Sequence, residues 1–135
     1  MEDAGKKLMR FMNIVNQLRS EKGCPWDIKQ SPLSLKRYIL EETHELLAAI
    51  DADDHQHVKE ELGDLLYLII LLAQIHSEKQ FFNMSEVIEA ISAKMVRRHP
   101  HVFQDEQFDS EAQLREKWLA IKAREKSDRA KAKKN

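Results

Sequence analysis

Apolar positions along the chain recur at helical rather than strand spacing. Leu8, Phe11, Met12, Val15 and Leu18 follow at three- and four-residue steps and predict a helix from about Asp3 to Glu21. The stretch KGCPWDIKQ, broken by Gly23 and Pro25, reads as a loop. A second helix opens on Ser31 as N-cap, with Pro32 at the first helical position, and runs to about Ile50. The acidic turn DADD ends it, and Asp53 or Asp54 can cap a third helix that reaches about Ser77. Asn83 and Glu86 make a capping-box pair for a fourth, whose end Pro100 forces near His99. Ser110 with Gln113 starts a fifth that runs past Arg124. The third helix stands apart. Leu65, Leu66, Leu68, Ile69, Ile70, Leu71 and Leu72 occupy all of its sides, the pattern of a helix buried all round. In a chain this short, burial of that kind calls for a second subunit near Leu65 to Leu72. There is no internal repeat.

Composition narrows this picture. Only 3 Gly and 3 Pro in 135 residues argue against a turn-rich all-β fold. The net charge of −1 excludes a strongly basic nucleic-acid binder. The single cysteine, Cys24, excludes an intramolecular disulfide and a multi-cysteine zinc site, and it reads as a small loop hydrophobe. The longest apolar run, Leu65 to Ala73, is far shorter than the ~20 residues that span a bilayer. MEDAGKKLMRF lacks an apolar signal core. The expectation is an all-α bundle of about five helices, cytoplasmic, with no membrane or nucleic-acid polymer as partner. It forms a single domain over residues 1–126 and a basic, frayed tail over 127–135.

The acids carry the chemical information. At about 100° per residue, Glu42 shares its direction with Leu35, Ile39 and Leu46, and Glu45 lies one turn on. Glu61 shares its direction with Leu65, Leu68 and Leu72, and Asp64 flanks that row. Two i, i+3 pairs of carboxylates thus lie on or beside core-facing stripes of consecutive helices. A carboxylate buried alone protonates, pairs or binds a cation. From Glu41 to Asp64 the only Lys or Arg among nine acids is Lys59. Surface acids are the plain reading of such a run. Two pairs with one pattern favour a divalent ion, and all-oxygen ligands favour Mg²⁺ or Mn²⁺.

Cations lie further along. Lys94 and Arg98 are i, i+4 on the side of Val87 and Ile91, which suits either a salt-bridge network or a bound phosphate. Trp118 and Lys122 form a second i, i+4 pair, either a core anchor or a stacking surface with a phosphate contact. The last 21 residues hold nine Lys or Arg and three acids, a solvated helix end or a phosphate-facing one. His99 and His101 flank Pro100 where a helix end favours capping, and Trp26 pins its loop to the bundle.

These residues resemble a known family. Glu41-Glu42-x-x-Glu45 followed by Glu61-x-x-Asp64 is similar to the metal motif of MazG-type nucleoside triphosphate pyrophosphohydrolases. Flanking segments agree: Cys24-Pro25-Trp26-Asp27 with Gln30, Ser34 and Leu35; Glu60-Glu61-Leu62-Gly63-Asp64-Leu65-Leu66; Lys94; Arg97-Arg98-His99-Pro100-His101-Val102-Phe103; and WLAIKAREK. The resemblance covers nearly the whole chain. It implies an all-α, bundle-like fold completed by dimerisation or a higher homo-oligomer. It also implies Mg²⁺-dependent hydrolysis of nucleoside triphosphates to monophosphate and pyrophosphate, with Mn²⁺ as a substitute. Carried over by position, Glu42, Glu45, Glu61 and Asp64 are the metal ligands, and Lys94, Arg98, Trp118 and Lys122 contact the nucleotide. Lys94 and Arg98 offset phosphate charge as a metal-activated water attacks the α-phosphorus. Glu41, about 100° from Glu42, is a candidate base, an outer-sphere group or simply an exposed acid. Some relatives carry two such domains, one of them inactive; here the one domain keeps all its acids.

Two other classes fit parts of the pattern. Glu41-x-x-His44 has the Glu-x-x-His spacing of carboxylate-bridged di-iron bundles, but only once. A non-enzymatic dimerisation module would use Leu65 to Leu72, yet gives no reason for acids on core stripes.

Overall fold

The computed structural model describes residues 2–134, which form seven helices and, among the described residues, no strand. These are α1 (Ala4–Leu18), α2 (Pro25–Lys29), α3 (Pro32–Asp51), α4 (His55–Glu78), α5 (Met84–Arg98), α6 (Pro100–Phe103) and α7 (Glu111–Lys134). The five long helices are those the periodicity predicts. The CPWD stretch, expected to be a loop, instead forms α2, started by Pro25 at its first turn. Pro100 ends α5 as expected and then starts α6, with His99 between them. Helix α7 continues to Lys134. The tail expected over 127–135 thus lies within that helix, apart from Asn135, which is outside the described residues. The chain divides into two compact units, one ending at Met84 and the other beginning at Ser85. Among the described residues no helix is long and apolar enough to cross a membrane.

In the first unit α3 and α4 pair as a helical hairpin, and α1 packs on α4. Each start is capped. Ser31 and Ser34 exchange side-chain and backbone hydrogen bonds at α3, and the Asp54 carboxylate accepts the His57 amide at α4. The hairpin turns on Asp53, at φ 53°. Its amide donates to the Ile50 carbonyl and the Asp54 amide to that of Ala49, a Schellman closure. Val15, Leu35, Leu68, Ile70, Leu71 and Ile75 form the buried core, flanked by Leu8, Phe11, Met12, Trp26, Tyr38, Ile39, Tyr67 and Leu72. Trp26 pins α2 as expected, edge-on to Tyr38 with centroids 5.2 Å apart. Helix α4 is buried on one side only: Leu62, Leu66 and Ile69, at i, i+4 and i+7, remain exposed.

Arg19 fastens this unit at one end. Its Nη1 donates to the carbonyls of Asp27, Ile28 and Gln30, the last turn of α2, and its Nε and Nη2 grip Glu78 at 3.1 and 2.6 Å. That guanidinium holds the Glu78 carboxyl below the usual carboxylate range. The Tyr67 hydroxyl donates to the buried Asp27 carboxylate, and burial, followed by that carboxylate, pushes the phenol upward.

The glycines test these local geometries. A methyl on Gly23 would lie 2.2 Å from the Leu18 carbonyl oxygen and 2.5 Å from that of Gln17, whereas one on Gly63, inside α4, meets nothing within 4 Å. Gly23→Ala is expected to destabilise the fold by about 1–3 kcal/mol. Gly63→Ala is expected to stabilise it by about 0.5–1 kcal/mol. Urea unfolding of both variants checks the opposite signs.

Candidate metal centre

The hairpin brings together the acids that the sequence singles out. Glu42 and Glu45 project from α3; Glu61 and Asp64 project from α4. Among the described residues two groups have ligand atoms all within 4.8 Å of one another: Glu42, Glu61 and Asp64; and Glu45, His57 and Glu61. Glu61 belongs to both. It is buried, Glu42 is half-buried, and Glu45 and Asp64 are exposed. The groups therefore form a seam with a buried floor and an open rim.

The two oxygens of Glu61 differ in their surroundings. Oε1 lies 3.0 Å from Nε2 of His57, one helical turn earlier. Oε2 is buried with no hydrogen-bond donor. Glu42 lies against Glu61, and sharing a proton with it pushes the Glu42 carboxyl up to about 7; burial and the charges of Asp64, Glu61 and Glu45 push the same way. The Glu61 carboxyl moves down, first through Glu42 beside it and further through His57. A divalent cation can take the place of that shared proton and supply the partner that Oε2 lacks.

The sequence missed His57. The signal was present: it is i, i+4 from Glu61 and third in a helix whose start is fixed by Asp54. The pattern of carboxylates on apolar rows does not include it, because His57 is not a carboxylate. Glu41 is exposed on α3 and belongs to neither group; His44, its partner in the di-iron pattern, is also exposed.

The remaining candidates belong to the second unit. The Lys122 ammonium sits 4.4 Å from the Trp118 ring centroid, and the Arg98 guanidinium lies 5.8 Å from the same ring. Arg98 donates from Nε and Nη2 to Oε2 of Glu125, at 3.1 and 2.8 Å, while Arg97 Nε donates to Oε1 at 2.7 Å. Arg98, then Arg97, hold the Glu125 carboxyl down to about 2. Glu125 was not a candidate from sequence, because its partners lie 27 and 28 residues away. Lys94 lines an open groove of about 630 Å³ with Arg97, Ile121, Arg124, Glu125, Asp128 and Arg129. The His99 ring caps the Met95 carbonyl at 2.6 Å.

The MazG nucleotide pyrophosphohydrolase domain model matches residues 30–103, which include both carboxylate pairs and the Lys94–Arg98 segment. The chain belongs to the MazG family. A Thermotoga maritima protein named nucleoside triphosphate pyrophosphohydrolase/pyrophosphatase MazG is 43% identical over 126 residues, 93% of this chain and 48% of its own length. An Escherichia coli K12 protein named nucleoside triphosphate pyrophosphohydrolase is 39% identical over 122 residues, 90% of this chain and 46% of its own. Bacillus subtilis YabN is 49% identical over 117 residues, 87% of this chain and 24% of its own length. The chain thus spans a quarter to about half of the length of these relatives. A crystal structure titled as a MazG-related protein from Thermotoga maritima superposes with a TM-score of 0.70 at 27% identity, covering 85% of this chain and 98% of that one.

The MazG acids have a pH signature. The folded-state value of Glu42 lies above the ordinary 4.5, so between pH 4.5 and about 7 the folded chain keeps a proton that the unfolded chain has lost. In EDTA this contribution favours folding below that window and fades as pH rises through it. Relative to Glu42→Gln, which cannot ionise, wild-type Tm is expected to drop by roughly 2–5 °C between pH 5 and 7.5. Parallel thermal melts of the two proteins check it.

Proposed function

We propose that this chain hydrolyses nucleoside triphosphates to monophosphate and pyrophosphate with a divalent ion, Mg²⁺ by preference and Mn²⁺ as a substitute. The observation that carries the proposal is the buried, unpartnered Oε2 of Glu61 beside Glu42 and Asp64. The family match and the names of the relatives support the reaction class. In this reading Glu42, Glu45, Glu61 and Asp64 hold the ion. When bound, it offsets phosphate charge and makes water a stronger nucleophile at neutral pH.

The side chains do the rest. His57 fixes one oxygen of Glu61 and so orients its carboxylate. Lys94, Arg98 and Lys122 supply positive charge for phosphate oxygens, and Trp118 offers an aromatic face to the base. Glu41, exposed beside Glu42, is retained as a candidate base, because a base must reach water. The proposal includes a homo-oligomer, at least a dimer, in which a second copy covers the exposed Leu62, Leu66 and Ile69 face of α4. Light scattering at micromolar concentration tests it, and a monomer would refute it.

Two assays test the reaction. With Mg²⁺ and a panel of common and modified nucleoside triphosphates, pyrophosphate and monophosphate are expected in equal amounts; orthophosphate with diphosphate as the main product refutes the proposal. Glu61→Gln removes one of several crowded negative charges and one ligand. Its melting temperature in EDTA is expected to equal or exceed that of wild type, its gain on adding Mg²⁺ to be smaller, and its turnover to fall by about two orders of magnitude or more. Near-wild-type turnover in this variant would remove Glu61 from the site.

A further inference from the structure

We infer that α3 pairs antiparallel with the α3 of a second copy, the acidic turn that ends one helix entering the basic groove that begins the other. The inference goes beyond the homo-oligomer proposed above: it adds a second surface, distinct from the exposed face of α4, and it fixes the direction of the pairing.

The side of α3 turned away from α4 carries a repeating pattern. Leu33, Arg37, Leu40, His44, Leu47 and Asp51 follow at alternating steps of four and three residues, the spacing of a seam between two packed helices. All six are exposed, and the three leucines are 79%, 58% and 52% accessible to solvent. Leu40 lies about 160° round the helix from Glu42, which points at α4. The stripe and α4 are therefore on opposite sides of α3, and the hairpin itself cannot cover these leucines.

Charge is polarised along the same face. The start of α3 borders an open groove of about 660 Å³ whose lining includes Lys29, Lys36 and Arg37 and no acid. Arg37 donates from Nη2 to the Tyr38 hydroxyl at 2.6 Å and keeps other N–H groups for a further acceptor. The end of α3 is Asp51, followed by Asp53 in the turn, both exposed. Neither sign serves the helix itself, whose dipole favours acids at its start and bases at its end. The placement suits a partner instead.

A second copy of this chain has the matching polarity. Arg37 and Asp51 are equidistant from His44 along the helix. With a two-fold axis at His44, an antiparallel pair sets each Arg37 against the partner's Asp51, and the leucines of the two stripes interleave between them. The acidic turn of each copy then lies over the basic groove of the other. A parallel pair would set Arg37 against the partner's Arg37 and Asp51 against the partner's Asp51, so the charges select one direction. One stripe supplies both halves of such an interface, which closes on itself.

Charge reversal tests the pairing. Arg37→Asp and Asp51→Arg each place like charges at both ends of the seam. Each is expected to halve the mass of the assembly at micromolar concentration by light scattering, with Kd raised about tenfold or more. In the double variant the ion pairs return with their signs exchanged, and Kd is expected within about threefold of wild type. That recovery separates a lost contact between copies from damage within one chain. His44→Cys in a Cys24→Ser background reads the register: at the axis it is expected to form a disulfide-linked dimer on mild oxidation, and added Arg37→Asp to suppress it. No recovery in the double variant, or no cross-link through position 44, overturns the inference. A wild-type assembly whose mass neither single reversal changes overturns this interface and leaves that of α4 standing. A monomeric wild type overturns both.

Discussion

A carboxylate held on the buried side of a two-helix seam without a counter-charge governs this structure. Glu61 occupies the row that Leu65, Leu68 and Leu72 continue, so the packing that buries Leu68 carries the Glu61 carboxylate out of water as well. Such a group is costly unless protonated, paired or bound to a cation. Local chemistry answers for one oxygen through His57 and leaves the other without a donor. The backbone guarantees the encounter. The Schellman turn at Asp53 fixes the register of the hairpin, which sets Glu42 against Glu61. Asp54 then fixes the first turn of α4, which sets His57 below Glu61.

Stability is supplied elsewhere along the same helix. Glu78 lies 17 residues beyond Glu61 on α4, about 25 Å at helical rise. There Arg19 is fully used: it satisfies three carbonyls of α2 and both oxygens of Glu78. Between the two ends lies the core of Leu68, Ile70, Leu71 and Ile75. One end of α4 is thus saturated with partners and the other keeps an unmet electrostatic demand. That division is expected where local rules are broken for function and compensated elsewhere.

Much of this could be read from residue spacing. The long helices followed from apolar periodicity and from Ser31, Asp54 and Pro100 as punctuation, because those signals act within one turn. The 100° rule placed Glu42 and Glu61 toward the core for the same reason. The α2 helix was not legible. Five residues do not make a stable helix in isolation. Its last carbonyls are satisfied by Arg19, the residue that caps the end of α1 and that no local pattern ties to CPWD. Apolar residues on every side of the third helix predict burial all round, yet one chain leaves Leu62, Leu66 and Ile69 exposed. Periodicity says which residues avoid water, not which chain covers them.

The cations of the second unit show where inference from charge needs the structure. Lys94 and Arg98 suggested either a bound phosphate or a salt-bridge network, and spacing alone left both open. Glu125 supplies the network for Arg98, held ionised far below the usual carboxylate range by two guanidiniums. An anion need not be invoked to explain why Arg98 is half-buried. Yet Glu125 engages only two of the five N–H groups of that guanidinium. A carboxylate that clamps one edge fixes the orientation of the other and restricts its rotamers, lowering the entropic cost of a later contact. The salt bridge and the proposed phosphate contact are therefore compatible uses of one side chain, with Glu125 restricting the Arg98 guanidinium in the first.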